Sequence, residues 1–149
     1  MTRIKITPVK TQLVTVISFP GMSSGVITPE YINDSGASLP AFSLLRVTPE
    51  GSLALVDTSS APTSGAMGFL TASVSPGEYG RLQLAGATEF LLDSESAAPA
   101  NGSFLFASTL EPGKVSTASP VEEGHTVIQL GRVANGKLLI NMRLEVAIL

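Results

Sequence analysis

The chain contains no cysteine and no tryptophan. Without cysteine there is no disulfide and no thiolate metal site, so the fold must stand on packing and on any subunit partners. Histidine is nearly absent too. His125 is the single one, so any Ser–His–Asp or Cys–His scheme would rest on it. It follows Glu122-Glu123-Gly124 at a turn opening a strand, with no nucleophile and orienting carboxylate singled out beside it. A turn residue packing its ring over the strand start is the better reading, and no catalytic residue is expected. Nor do further His or clustered carboxylates suggest a metal centre. The Asp93-Ser94-Glu95 loop could touch Ca²⁺ weakly, but it lacks the acidic density of such loops. No Gly-rich run precedes a helix, so no phosphate cradle or cofactor site is expected.

Charge is scarce as well. Only 14% of residues are charged, against about a quarter in ordinary domains. Aromatics make up 5%. No apolar run approaches the length of a membrane span, so none is expected. The start, Met1-Thr-Arg-Ile-Lys-Ile-Thr-Pro8, lacks a continuous apolar stretch, so no signal peptide is expected. A net charge of −3 argues against nucleic acid, whose phosphates call for clustered Lys and Arg.

What is present is aliphatic and small. Hydrophobic residues reach 44% and mean hydropathy is +0.34. A chain of this length buries roughly 70% of the surface its unfolded form exposes, which allows one domain with a true core. The weakly charged, apolar-leaning exterior is of the kind subunit contacts use, so assembly is expected.

Turn signals recur every eight to fifteen residues, among them Pro20-Gly21, Asn33-Asp34-Ser35-Gly36, Pro76-Gly77, Asn101-Gly102, Pro112-Gly113 and Asn135-Gly136. Between them lie β-rich runs at 12–19, 26–32, 42–48, 52–57, 66–74, 79–85, 88–92, 103–107, 114–117, 126–134 and 137–148. Short strands with this punctuation predict an all-β sandwich or small barrel of antiparallel strands. Asn135-Gly136 is the strongest hairpin signal, because a type I′ turn needs φ > 0 at both central residues. After it, Leu138, Ile140, Met142, Leu144, Val146 and Ile148 take one face and Asn141, Arg143 and Glu145 the other, a period of two that no helix gives. One short helical turn is allowed near 94–98. The run 58–65 reads as a mobile loop. Pro49-Glu50-Gly51-Ser52-Leu53 and Pro112-Gly113-Lys114-Val115 are alike as hairpin tips and are not taken as a repeat.

Two segments are expected: an arm and lead-in strand over 1–25, and the β-domain over 26–149. Arg3, Lys5 and Lys10 stand in the first ten residues with no acid among them. Ile4 and Ile6 alternate with Arg3 and Lys5 as in a half-buried strand. The arm is therefore the candidate partner-binding segment, docking on something acidic.

From Asn33 to about residue 147 the order of motifs resembles a β-barrel module of tailed-bacteriophage virion proteins, found in head-decoration (capsid cement) proteins and in tail-fibre or spike proteins. The motifs are Asn33-Asp34-Ser35-Gly36, Leu39 to Val47, Gly65 to Leu70, Gly77 to Leu84, Asp93 to Ser96, Asn101 to Ser108, the Pro112-Gly113 hairpin and His125-Thr-Val-Ile-Gln-Leu-Gly-Arg-Val133. At Ala41-Phe42-Ser43 the family usually has Lys-Gly-(Asp/Ser), and this chain departs from it. The resemblance implies a β-tulip-like fold, no catalytic residues, and a homotrimer on the virion, assembled in the host cytoplasm. It implies the major capsid protein as partner, with the arm (Arg3, Ile4, Lys5, Ile6, Lys10) adding a strand to it. The alternative it leaves open is a tail-fibre, collar or spike component, with host-surface binding. That alternative calls for exposed aromatics, whereas the two Tyr and six Phe here fall mostly inside apolar runs, and for a fibrous extension, which is not expected.

Overall fold

A computed structural model describes residues 27–58, 66–119 and 126–146. The arm, the predicted strand 12–19, most of the 58–65 loop and His125 lie outside the described residues. Within them the chain is all-β with no helix, in three antiparallel sheets. None of the sheets closes on itself, so the architecture is an open sandwich and not a closed barrel. The allowed helical turn near 94–98 is a hydrogen-bonded turn only, in which Ser96 N–H donates to the Asp93 carbonyl at 3.2 Å.

The strands are β1 (Tyr31–Ile32), β2 (Leu44–Val47), β3 (Leu53–Leu55), β4 (Met67–Leu70), β5 (Tyr79–Gly80), β6 (Leu82–Gln83), β7 (Ala87–Thr88), β8 (Phe104–Ala107), β9 (Val115–Ser116), β10 (Thr126–Ala134) and β11 (Lys137–Val146). The predicted strand over 88–92 shrinks to β7 and an isolated bridge at Leu92. The Asn135-Gly136 hairpin forms as read, with φ of 52° and 78° at its two residues. Its strands pair Ala134 with Lys137 and continue to Thr126 opposite Val146. Leu138 is buried and Asn141 and Arg143 are exposed, so the predicted alternation holds where side chains are described.

One sheet runs β3-β2-β4-β6 and another runs β9-β8-β10-β11, with β7 added at its edge. The two orders are the same topology written twice. A hairpin (β2–β3, β8–β9) is followed by a strand that returns to pair with the hairpin's first strand (β4 on β2, β10 on β8) and then by a fourth strand (β6, β11). The match extends to single bonds. Ser43 N–H donates to Pro40 O and Ser103 N–H to Ala100 O. Phe42 N–H donates to Leu70 O at 2.8 Å and Gly102 N–H to Val133 O at 2.7 Å. Leu70 N–H returns a bond to Ser43 O, as Val133 N–H does to Ser103 O. Ile32 bridges Ser52 in parallel, and Leu92 bridges Val115 in parallel. The two look-alike hairpin tips are thus equivalent parts of an internal structural repeat, which corrects the reading that their likeness does not amount to one.

Alternation gives each unit two faces. The front of the first unit carries Leu45, Leu53, Leu70 and Leu82, and packs under Leu39, Val74 and Tyr31. Its back carries Leu44 and Phe69, which enter a second core with Leu105, Val115, Ile128, Leu130, Val133 and Leu138 from the front of the second unit. The back of unit one therefore stacks on the front of unit two. Fully burying each such side chain contributes about 1.5–3 kcal/mol. Gly113, at the tip between β8 and β9, locks the stack. Leu44 N–H donates to its carbonyl at 2.8 Å, and its own N–H donates to Val56 O at 2.9 Å. A Cβ there would run into Leu55.

Candidate interaction surfaces

Two buried Asx side chains begin the two units. Asn33 is fully buried. Its Nδ2 donates to the carbonyls of Ala37 at 2.9 Å and Val74 at 3.0 Å, while Oδ1 accepts from Ser35 N–H and Oγ. Asp93, at the equivalent place, is also buried. Its Oδ2 accepts from Ser108 Oγ at 2.6 Å and its Oδ1 from Ser96 Oγ at 2.7 Å and Glu95 N–H at 3.3 Å. Ser108 Oγ in turn accepts from the N–H groups of Leu110 and Glu111. The Asp93-Ser94-Glu95 loop, weighed above as a weak cation contact, is thereby a hydrogen-bonded knot. Among the described residues no group of three or more His, Asp or Glu is placed to hold a metal ion.

Glu111 ties the same knot from outside. Its Oε2 accepts from Ser94 N–H at 2.6 Å and its Oε1 meets Lys114 Nζ at 3.1 Å. These bonds, the Ser94 backbone N–H foremost, hold its carboxyl down from 4.5 to about 2.

The five arm residues, Arg3, Ile4, Lys5, Ile6 and Lys10, lie outside the described residues. The chain enters the described body at the edge of the first unit. Ile27 bridges Gln83 in antiparallel sense, and Thr28 N–H donates to Leu82 O at 2.9 Å. Leu82 N–H donates back to Thr28 Oγ1. Among the described residues no helix is long and apolar enough to cross a membrane.

The back of the second unit is a surface that the sequence reading missed. Cross-strand register sets Phe104 of β8 opposite Arg132 of β10, Arg132 opposite Leu139 of β11, and Leu139 opposite Ala87 of β7. A second row joins Ser116, Phe106, Gln129 and Arg143. Phe104 and Leu139 are 37% and 47% exposed. The Arg132 guanidinium lies 4.4 Å over the Phe104 ring, a stacking worth about 0.5–1 kcal/mol at an exposed site. Lys137 stands at the rim, 3.7 Å from Glu89. The signal for this face was the alternation in Phe104-Leu-Phe-Ala107, whose outward members are both aromatic.

The opposite outer side is acidic. Loops 33–37, 48–52 and 75–78 converge there through Gly77 N–H to Asn33 O, Asn33 N–H to Glu78 O and Ser52 Oγ to Asp34 Oδ2. They expose Asp34, Glu50 and Glu78 and contain no Lys or Arg. Tyr79, next to them, is 60% exposed. The chain matches no family model, no curated protein and no solved structure.

Proposed function

We propose that this chain is a structural virion protein of a tailed bacteriophage, a capsid decoration protein that attaches to the major capsid protein through its N-terminal arm and works as a trimer. The observation that carries the reading is Phe42. The module this sequence resembles has glycine there, and Phe42 has φ of 68°, the left-handed geometry glycine takes without cost. Its counterpart in the second unit is Gly102, at φ 85°. The departure from the family motif is thus one of side chain and not of backbone, which supports the resemblance at its weakest point. The back of the second unit, which none of the described residues covers, supports assembly.

The arm is the sharper half of the proposal. Deleting residues 1–10 abolishes attachment and leaves the body folded. Changing Arg3, Lys5 and Lys10 to Ser leaves attachment largely intact, because exposed ion pairs contribute only about 0–1 kcal/mol each and salt screens them. Ile4→Pro does more harm, since proline removes a ladder donor. Cosedimentation of each variant with undecorated capsids measures this. Full binding by the deletion variant shows that the body makes the contact; binding to tails and not to heads moves the protein to the fibre or spike class.

A further inference from the structure

We propose that the back of the second unit, Phe104, Phe106, Arg132, Leu139 and Arg143, receives a second copy of the chain through that copy's acidic outer side, Asp34, Glu50, Glu78 and Tyr79. The inference rests on the reading that copies assemble, and it names the surfaces they use. Its first support is the internal repeat. The cross-strand pair Leu44–Phe69 on the back of unit one is buried by the front of unit two. The same two positions in unit two hold the pair Phe104–Arg132, which nothing in the chain's described residues covers. The stacking step made within the chain has no successor there, and a first unit from another copy supplies it.

Charge decides which part of that copy fits. The uncovered face bears Arg132 and Arg143, with the Lys137–Glu89 pair at the rim and Glu145 farther along β11 on the same face by register, so basic residues outnumber acidic ones. Two such faces repel each other, so a back-to-back contact is disfavoured. The acidic loops offer the opposite sign, with exposed Tyr79 to lie against Phe104 and Leu139. Aromatic and Arg side chains are also those that dominate contact energies. Because the two patches differ, the contact is heterologous. It closes into a trimer when each copy turns by a third of a circle and otherwise gives a longer ring or an open stack.

The test pairs two charge reversals, each checked for folding by far-UV circular dichroism, and reads mass by light scattering. Arg132→Glu with Arg143→Glu lowers self-association at least about tenfold, as does Glu50→Lys with Glu78→Lys. A mixture of the two variants associates again, because each presents the complement of the other; the rescue is complete for a pair and partial for a closed ring of three, in which one contact stays mismatched. Wild-type protein of trimer mass whose face variants keep that mass overturns these surfaces and leaves the assembly reading standing. Monomeric wild-type protein overturns both. Wild-type assemblies larger than a trimer that both variants dissolve support the contact and overturn the trimer.

Discussion

The two units of the chain solve one folding problem with different side chains. Asn33 and Asp93 occupy equivalent positions, each buried and each closing a loop. The amide of Asn33 both donates and accepts, so it holds backbone carbonyls as well as a serine. The carboxylate of Asp93 only accepts, so its surroundings are donors, two hydroxyls and an N–H. Each neighbourhood has been built to the hydrogen-bonding polarity of its central group. What is kept between the units is the backbone path; what changes is which chemistry satisfies it.

Glycine offers the strongest way to break the equivalence. Gly68 and Gly131 pair with Leu45 and Leu105 on the hairpin strands and both crowd a carbonyl of the next strand. Gly131 is the tighter of the two. It sits at the register shift between β10 and its neighbours with φ of 142°, and a Cβ would collide with the Leu139 carbonyl. Gly131→Ala should cost about 3 kcal/mol or more, from left-handed strain and overpacking together. Gly68→Ala, at ordinary φ and partly against the flexible Leu84 side chain, should cost about 1–3 kcal/mol. Urea unfolding of both variants checks the order; equal losses would mean that the bulge adds no constraint.

Exchanging the two Asx residues tests the polarity argument. Asn33→Asp turns a carboxylate oxygen toward the Ala37 and Val74 carbonyls in a buried site and should cost about 2–4 kcal/mol. Asp93→Asn sets an NH₂ against Ser108 Oγ, which already accepts two bonds, and should cost about 1–3 kcal/mol. If either exchange is neutral by chemical denaturation, that knot tolerates both polarities and the contrast drawn above fails for it.

The smallest effect is confined to the second unit and to acid. Glu111 has its carboxyl held below the ordinary 4.5, at about 2. In that window the folded protein binds fewer protons at this group than the unfolded chain does. Its contribution is therefore complete above pH 4.5 and is lost as the pH falls toward 2. Glu111→Gln should flatten the fall in unfolding midpoint over that range. A variant with the wild-type slope would transfer the acid sensitivity to other carboxylates.

Much of the architecture was legible because it depends on turn chemistry and period. Asn135-Gly136, Pro112-Gly113 and the alternation after Leu138 placed β8 to β11 nearly as they stand. The repeat was not legible, because equivalent positions carry unlike residues: Phe42 and Gly102, Asn33 and Asp93, Leu44 and Phe104, Phe69 and Arg132. A back face that is buried in one unit and open in the other erases the shared pattern. The exposed face escaped notice for a related reason, since its rows run across four strands and leave only single letters in each. The arm's composition was plain in the sequence, and its placement lies outside the described residues.

The Gly113 tip carries a consequence for synthesis. It bonds to Leu44 and Val56, so the first unit's back is finished only by residues far downstream. A growing chain on the ribosome exposes Leu44 and Phe69 until the whole second unit, β8 to β11, has emerged. During that interval the nascent first unit presents a bare apolar sheet, and chaperone demand should peak there and vanish only once Leu138 has cleared the exit tunnel and β10 and β11 can close the core.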